Sequence, residues 1–165
     1  MKIMFTHPYR LSLLRKSSDD YIQVIAYEDE ILEEDFLAAD KVFYTDSKNR
    51  IKDLLNILDN PSTKPDILVF NGAHDDECLS ESQYKELVSK KGINVIGQDL
   101  EVCEICYDKL KTKQFLAKHN FPTVKIINEP KEKDFPLVIK PTDAWAGKGI
   151  KIVHDYRQLN NSIKS

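Results

Sequence analysis

Apolar residues recur along this chain with two periods. Short apolar runs at 2–6 (KIMFT), 41–45 (KVFYT), 65–72 (PDILVFNG) and 93–97 (INVIG) predict β-strands, and 21–28 (YIQVIAYE) alternates as a half-buried strand does. Between them, 47–60 carries Ile51, Leu54, Leu55 and Leu58 at helical spacing, with Ser47 placed to cap the helix. Residues 80–92 predict a second helix that starts at Ser80 and has Gly92 just past its end. Strands alternating with helices predict an α/β fold built on a mostly parallel sheet, covered on both faces. Ligands of such sheets sit beyond the carboxyl ends of the strands. Those ends are His7, Pro8, Tyr9 and Arg10; then Glu28 and Asp29; then residues 71–76. No Gly-x-Gly-x-x-Gly follows the first strand, which argues against a dinucleotide site there.

The second part of the chain reads helix, strand, strand, loop, strand, helix. Residues 99–122 form a long helical stretch that Asp99 can cap. Its apolar face of Val102, Ile105, Leu110, Phe115 and Leu116 is broken near Tyr107, and Asn120 and Pro122 end it. Strands are expected at 123–127, 135–141 and 150–154, and a helix capped by Asp155 at 155–165. About sixty residues make a marginal independent core.

Composition sharpens this picture. The 165 residues are 41% hydrophobic and 31% charged, enough for a core and for solubility. No apolar run approaches the roughly 20 residues of a membrane helix, and the N-terminus lacks the pattern of a signal peptide. A cytoplasmic protein without a membrane partner is expected. Three cysteines, an odd number, predict free thiols. The net charge of −3 conceals an asymmetry. Residues 1–108 hold 12 Lys and Arg against 22 Asp and Glu, a net −10, whereas residues 109–165 hold 12 against 5, a net +7. The basic part would attract an anion: a nucleotide phosphate, a nucleic acid or an acidic surface. Two solvated faces of opposite sign account for the asymmetry as well. The lysines lie on strands and helices without interleaved aromatic residues apart from Trp145, so a nucleic-acid partner is not expected.

The chemistry concentrates in residues 142–149, TDAWAGKG, between two apolar strands. Of five glycines in the chain, Gly147 and Gly149 flank Lys148 here. Glycines permit positive φ and let backbone N–H groups approach a ligand, and successive N–H groups make a nest for an anion. Lys140, at the exit of the preceding strand, and Lys148 add charge. A β-hairpin whose glycines only satisfy turn geometry fits the same residues. A Walker loop does not, because Lys148 is followed by Gly149 and a strand. Cys103 and Cys106, with His74 and Cys78, make up the composition of a Cys₃His zinc set, but two thiols on a helix are the simpler reading. His74, Asp75, Asp76 and Glu77 read as a solvated acidic loop that could also meet a substrate amine or a metal, and 28–40 as an acidic helix face. No metal ligands and no catalytic residue are assigned.

YDKLKTKQFLAKHNFPT (107–123) followed by DFPLVIKPTDAWAGKGIKIV (134–153) resembles the front half of an ATP-grasp domain, and GINVIGQDLEV (92–102) is similar to the end of the pre-ATP-grasp domain of those enzymes. The resemblance implies a Rossmann-like pre-ATP-grasp domain over 1–100 and an incomplete N-terminal ATP-grasp lobe, small and α+β, over 101–165. The layout resembles the carbamoyl-phosphate-synthase-like, D-alanine–D-alanine-ligase and amino-acid-ligase branches alike. It implies that Lys109 and Lys140 reach the phosphates of ATP, and that Gly147, Lys148 and Gly149 belong to the loop that closes over them. The implied reaction is ATP-dependent joining of a small-molecule carboxylate to an amine through an acyl-phosphate. Ala146 departs from the family, which usually has Gly there, and its Cβ is expected to limit positive φ. Trp145 is unusual at that place. The second lobe, which in the family holds adenine and the Mg²⁺ ligands, has no counterpart in the chain, so Mg²⁺ is expected only in the complete enzyme. The chain alone is expected to be inactive, with a homodimer or a partner chain as a source of the missing lobe. A non-catalytic nucleotide-binding or protein-interaction module is the alternative.

Overall fold

The computed structural model describes residues 1–8, 11–15, 19–27, 37–46, 48–72, 74–144 and 146–163. The expectations for Tyr9, Arg10, Glu28, Asp29, Ser47 and Trp145, and for most of the acidic stretch at 28–40, lie outside the described residues. The chain divides into two compact units, Met1–Cys103 and Glu104–Ser165.

The first unit alternates strand and helix as its periodicity predicts. Its elements are β1 (Lys2–Phe5), α1 (Leu11–Arg15), β2 (Tyr21–Tyr27), β3 (Lys41–Thr45), α2 (Arg50–Asp59), β4 (Ile67–Val69), α3 (Asp75–Ser89) and β5 (Asn94–Ile96). The strands form one sheet in the order β3-β2-β1-β4-β5, with every pairing parallel. Successive side chains point to opposite faces, so β1 sends Met4 into one core and Phe5 into another. Met4, Ile25, Leu54, Leu58, Leu68, Phe70, Val88 and Ile93 fill the first; Phe5, Leu11, Ile22, Val24 and Ala38 fill the second. Full burial of each large aliphatic side chain stabilises the fold by about 1.5–3 kcal/mol. β2 is buried from Ile22 through Ala26, not half-buried as its alternation suggests, because it is an interior strand with cover on both faces.

Two helix starts differ from expectation. α2 begins at Arg50, where the Asp46 carboxylate accepts the Lys48 and Asn49 N–H groups at 2.8 and 2.9 Å. α3 begins at Asp75, five residues before Ser80, so the acidic cluster is a helical first turn and not a loop. Asp75, Asp76 and Glu77 complement the positive end of the helix dipole. Gly72 makes the sharp entry possible, since a Cβ on it would lie 2.8 Å from the Glu77 Cβ. At the other end Gly92 takes φ +74, as expected of a residue just past a helix.

The helix α4 (Leu100–Tyr107) runs across the division between the units and is followed by α5 (Lys109–Lys118). The Asp99 carboxylate receives the Lys85 ammonium at 2.7 Å. The second unit continues with a 3₁₀ turn (Glu132–Asp134), β6 (Leu137–Ile139), β7 (Lys151–Val153) and α6 (Tyr156–Ile163). β6 and β7 pair antiparallel, Leu137 opposite Val153, Val138 opposite Ile152 and Ile139 opposite Lys151. Asp155 caps α6 by accepting the Gln158 N–H at 2.8 Å, as predicted. The Tyr156 ring meets Phe135 edge-on at 5.1 Å, and its hydroxyl donates to the Pro130 carbonyl at 2.5 Å. The strand expected at 123–127 is absent: residues 121–127 have no regular structure. The only ladder described in this unit is β6 with β7, and a strand without a partner leaves its backbone groups to water.

Candidate functional site

Asp108 breaks the long helical stretch and builds the first part of the site. It is extended (φ −96, ψ 113), and its carboxylate accepts the N–H groups of Leu110 and Lys111 at 2.7 and 3.1 Å. This N-cap starts α5 at Lys109. Thr112, one turn on, donates its hydroxyl to the carbonyls of Ile105 at 2.6 Å and Asp108 at 3.0 Å, which holds the two helices at the break. Lys109 therefore stands at a helix start with its backbone N–H free of intrahelical duty. That N–H donates to the Thr142 carbonyl at 3.0 Å. The Lys109 ammonium donates to the same carbonyl at 3.3 Å and also to the Ala144 carbonyl.

The partner of Lys109 is the base of the glycine-flanked loop. Pro141 packs against Gly149, where a Cβ would come 2.6 Å from the proline Cγ, so only glycine closes the loop there. Gly147 and Gly149 take φ +77 and +73, and the Ile150 N–H donates to the Gly147 carbonyl at 3.3 Å. Ala146 also takes positive φ, at +52. This corrects the expectation that its Cβ would limit that conformation; the fold holds it in the left-handed region at a cost of about 1–2 kcal/mol. Lys140 and residues 146–149 are exposed. Val138 and Ile152, opposite one another on the ladder, are 56% and 63% exposed. Strand alternation puts Lys140 on that same aliphatic face. The structure thus brings Lys109 to the loop that carries Gly147, Lys148 and Gly149, with Lys140 at the loop's entrance. Lysines, turn N–H groups and an exposed aliphatic face suit a ligand that is anionic at one end and apolar at the other.

A second polar cluster lies at the carboxyl ends of β1 and β4. The Asn71 side chain clasps the His7 backbone, accepting its N–H at 2.9 Å and donating to its carbonyl at 2.9 Å. Thr6 accepts the Asn71 N–H at 3.0 Å. Arg50, 6% exposed, donates to the Thr6 carbonyl, to Glu77, and to Glu81 at 2.9 Å. Glu81 also accepts the Gly72 N–H at 3.0 Å. Burial pushes the Glu81 carboxyl above its ordinary range, against the pull of the Thr6 hydroxyl and the Arg50 charge. Sequence reasoning singled out His7, Asn71 and Glu77 but missed Arg50, Glu81 and Thr6. The available signal was Glu77 and Glu81 one turn apart on one helix face.

Cys78, half-buried, donates to the Gly72 carbonyl at 3.3 Å, and burial raises its pKa. Cys103 is buried and Cys106 exposed, and all three thiols are free. Among the described residues no three of His, Cys, Asp and Glu come together to hold a metal ion, so His74, Cys78, Cys103 and Cys106 do not form a zinc site. No helix among the described residues is long and apolar enough to cross a membrane.

Comparison with known proteins extends this geometry. Residues 106–165 match the family model of the ATP-grasp domain. The D-alanine–D-alanine ligase of Methylacidiphilum infernorum is 31% identical over 88 residues, which are 51% of this chain and 29% of that protein. The carbamoyl phosphate synthase large chain of Clostridium perfringens is 24% identical over 155 residues, 88% of this chain and 14% of that protein. Among solved structures, the biotin carboxylase domain of 2-oxoglutarate carboxylase from Hydrogenobacter thermophilus, crystallised with MgADP, ADP and bicarbonate, superposes with a TM-score of 0.70 at 18% identity, covering 99% of this chain and 39% of that one. This chain spans less than a third of the length of either sequence relative. Residues 106–165 thus match the ATP-grasp domain, and nearly the whole chain shares the fold of the biotin carboxylase domain.

Proposed function

We propose that this chain supplies the phosphate-gripping part of an ATP-grasp carboxylate–amine ligase. In this reading residues 1–100 are the pre-ATP-grasp domain and residues 101–165 the N-terminal ATP-grasp lobe. Lys109 and Lys140 pair with the phosphates of ATP, and the loop of Gly147, Lys148 and Gly149 folds over them. The observation that carries the reading is the meeting of Lys109, through both its amide and its ammonium, with the base of the loop that Lys140 introduces. Three positive φ values within residues 146–149 suit a backbone that turns N–H groups toward an anion. The exposed Val138 and Ile152 fit the apolar base of the nucleotide.

ATP would supply an activated phosphoryl group to a small-molecule carboxylate, making it open to attack by an amine. These residues hold and orient the phosphates and shield them from water when the loop closes. The described residues gather no metal-ligand set of their own, so the full reaction is proposed for an assembly that adds Mg²⁺ ligands to these lysines. A continuation of the same protein, a second copy or a partner chain is the proposed source.

The test is an ATP-dependent thermal shift. At 100 times Kd a ligand stabilises its protein by about 2.7 kcal/mol. Lys140→Ala is expected to remove most of that shift while leaving the ligand-free stability within about 0.5 kcal/mol of the parent. A shift that Lys140→Ala leaves intact would reject the phosphate assignment. ADP release by the purified chain with pooled amino acids would show that it needs no further ligands.

A further inference from the structure

Lys109 is held in this structure by acceptors that its proposed task does not need. Its ammonium donates to the carbonyls of Thr142 and Ala144, and its backbone N–H to the Thr142 carbonyl at 3.0 Å. Those carbonyls belong to the entering limb of the loop, just before the left-handed turn at Ala146 and Gly147. A cation stretched across two carbonyls of one limb restrains that limb. The acceptors are neutral, and an ammonium makes shorter, stronger hydrogen bonds to anionic oxygen. The grip is therefore firm enough to fasten the loop and weak enough to be given up.

We propose that Lys109 is a latch on the glycine-flanked loop. Without a nucleotide the ammonium fastens the limb at residues 142–144 and keeps Ala146 in its left-handed conformation. A polyphosphate arriving at the loop competes with the carbonyls for the ammonium, and its capture of Lys109 frees the limb to move. The backbone N–H of Lys109 stays on Thr142 throughout and acts as the hinge. The release step rests on the proposed nucleotide reading; the fastening does not.

Hydrogen exchange and lysine NMR test the two steps separately. In nucleotide-free protein, Lys109→Met is expected to speed exchange of the two hydrogen-bonded amides that close the loop, that of residue 109 on the Thr142 carbonyl and that of Ile150 on the Gly147 carbonyl, by about five- to tenfold, the net worth of an ordinary hydrogen bond. Lys111→Met, on the same helix but 4.0 Å from Glu104, is the control and is expected to leave that exchange unchanged. Unchanged exchange in Lys109→Met overturns the latch, whether or not ATP binds. For release, the ¹⁵Nζ signal of Lys109, assigned by its loss in Lys109→Met, is expected to move on titration with ATP. A stationary signal in protein whose melting temperature ATP raises overturns the exchange of partners. Absence of any ATP-dependent thermal shift would instead remove the nucleotide reading and leave the exchange result to decide the fastening.

Discussion

The two units treat their polar side chains in opposite ways. In the first, Arg50, Glu77, Glu81, Thr6 and Asn71 close on one another, and the guanidinium and both glutamates are almost fully out of water. In the second, Lys140 and Lys148 stand exposed on the hairpin, and half-buried Lys109, at the start of α5, gives its ammonium to carbonyl oxygens. A buried charge must be fully partnered before the fold is stable. An ammonium on carbonyls loses little when a better acceptor arrives. Saturation of polar groups therefore marks the first cluster as a fastening of the fold, and the carbonyl acceptors of Lys109 are compatible with the ligand site proposed at the hairpin.

The sharpest way to break this contrast is at Arg50. Arg50→Met strands two buried carboxylates and is expected to destabilise the first unit by about 3–5 kcal/mol, read from urea unfolding. A loss below about 1 kcal/mol would mean that the cluster is no more structural than the hairpin. Next in size is Gly149→Ala, whose Cβ meets Pro141 at 2.6 Å in a left-handed backbone. A cost of about 2–3 kcal/mol is expected from overpacking and strain together. Gly147→Ala meets Ile150 Cδ1 at an ordinary 4.0 Å and pays only for its φ, about 1 kcal/mol. Equal costs at the two glycines would show that the proline contact contributes nothing.

The smallest effect is a slope. The Glu81 carboxyl is raised by burial, so the folded state holds its proton more tightly than the unfolded chain does. Its contribution to stability is complete below the ordinary value of 4.5 and declines as pH rises through the raised value. Glu81→Gln cannot titrate and is expected to flatten that decline in a series of urea midpoints. Parallel pH profiles for the two proteins would contradict the burial argument.

Much of the fold was legible because its signals are local. KVFYT is an apolar run with charged neighbours, and it forms a strand at the residues expected, Lys41–Thr45. The break in the helix near Tyr107 was visible as an interrupted apolar face, and Asp108 supplies its cap. Local signals misled where they were ambiguous. Asp75, Asp76 and Glu77 look like a solvated loop until Gly72 and the helix dipole are seen to place them in a first turn. TVKII has the composition of a strand, but pairing needs a neighbour that the sequence cannot supply. α1 carries LSLLR, too short for its period to be read. The Arg50 cluster was invisible for the same reason on a larger scale, since residues 6, 50, 71, 77 and 81 meet only through the sheet. The lysines and glycines of the hairpin were legible from their motif, and their meeting with one another through Lys109 needed coordinates.

The β6–β7 ladder has one more consequence. Leu137, Val138 and Ile139 face Val153, Ile152 and Lys151, so both sides of the ribbon are largely aliphatic. Burial still separates the two sides, with Val153 2% exposed and Ile152 63%, but an aliphatic residue on either side makes that preference modest. Pro141 seated on Gly149 and the Lys109 amide on Thr142 add to it in holding the alignment. Loosening either point invites strand slippage, which would turn Lys140 to the opposite side of the ribbon while leaving the composition of each strand untouched.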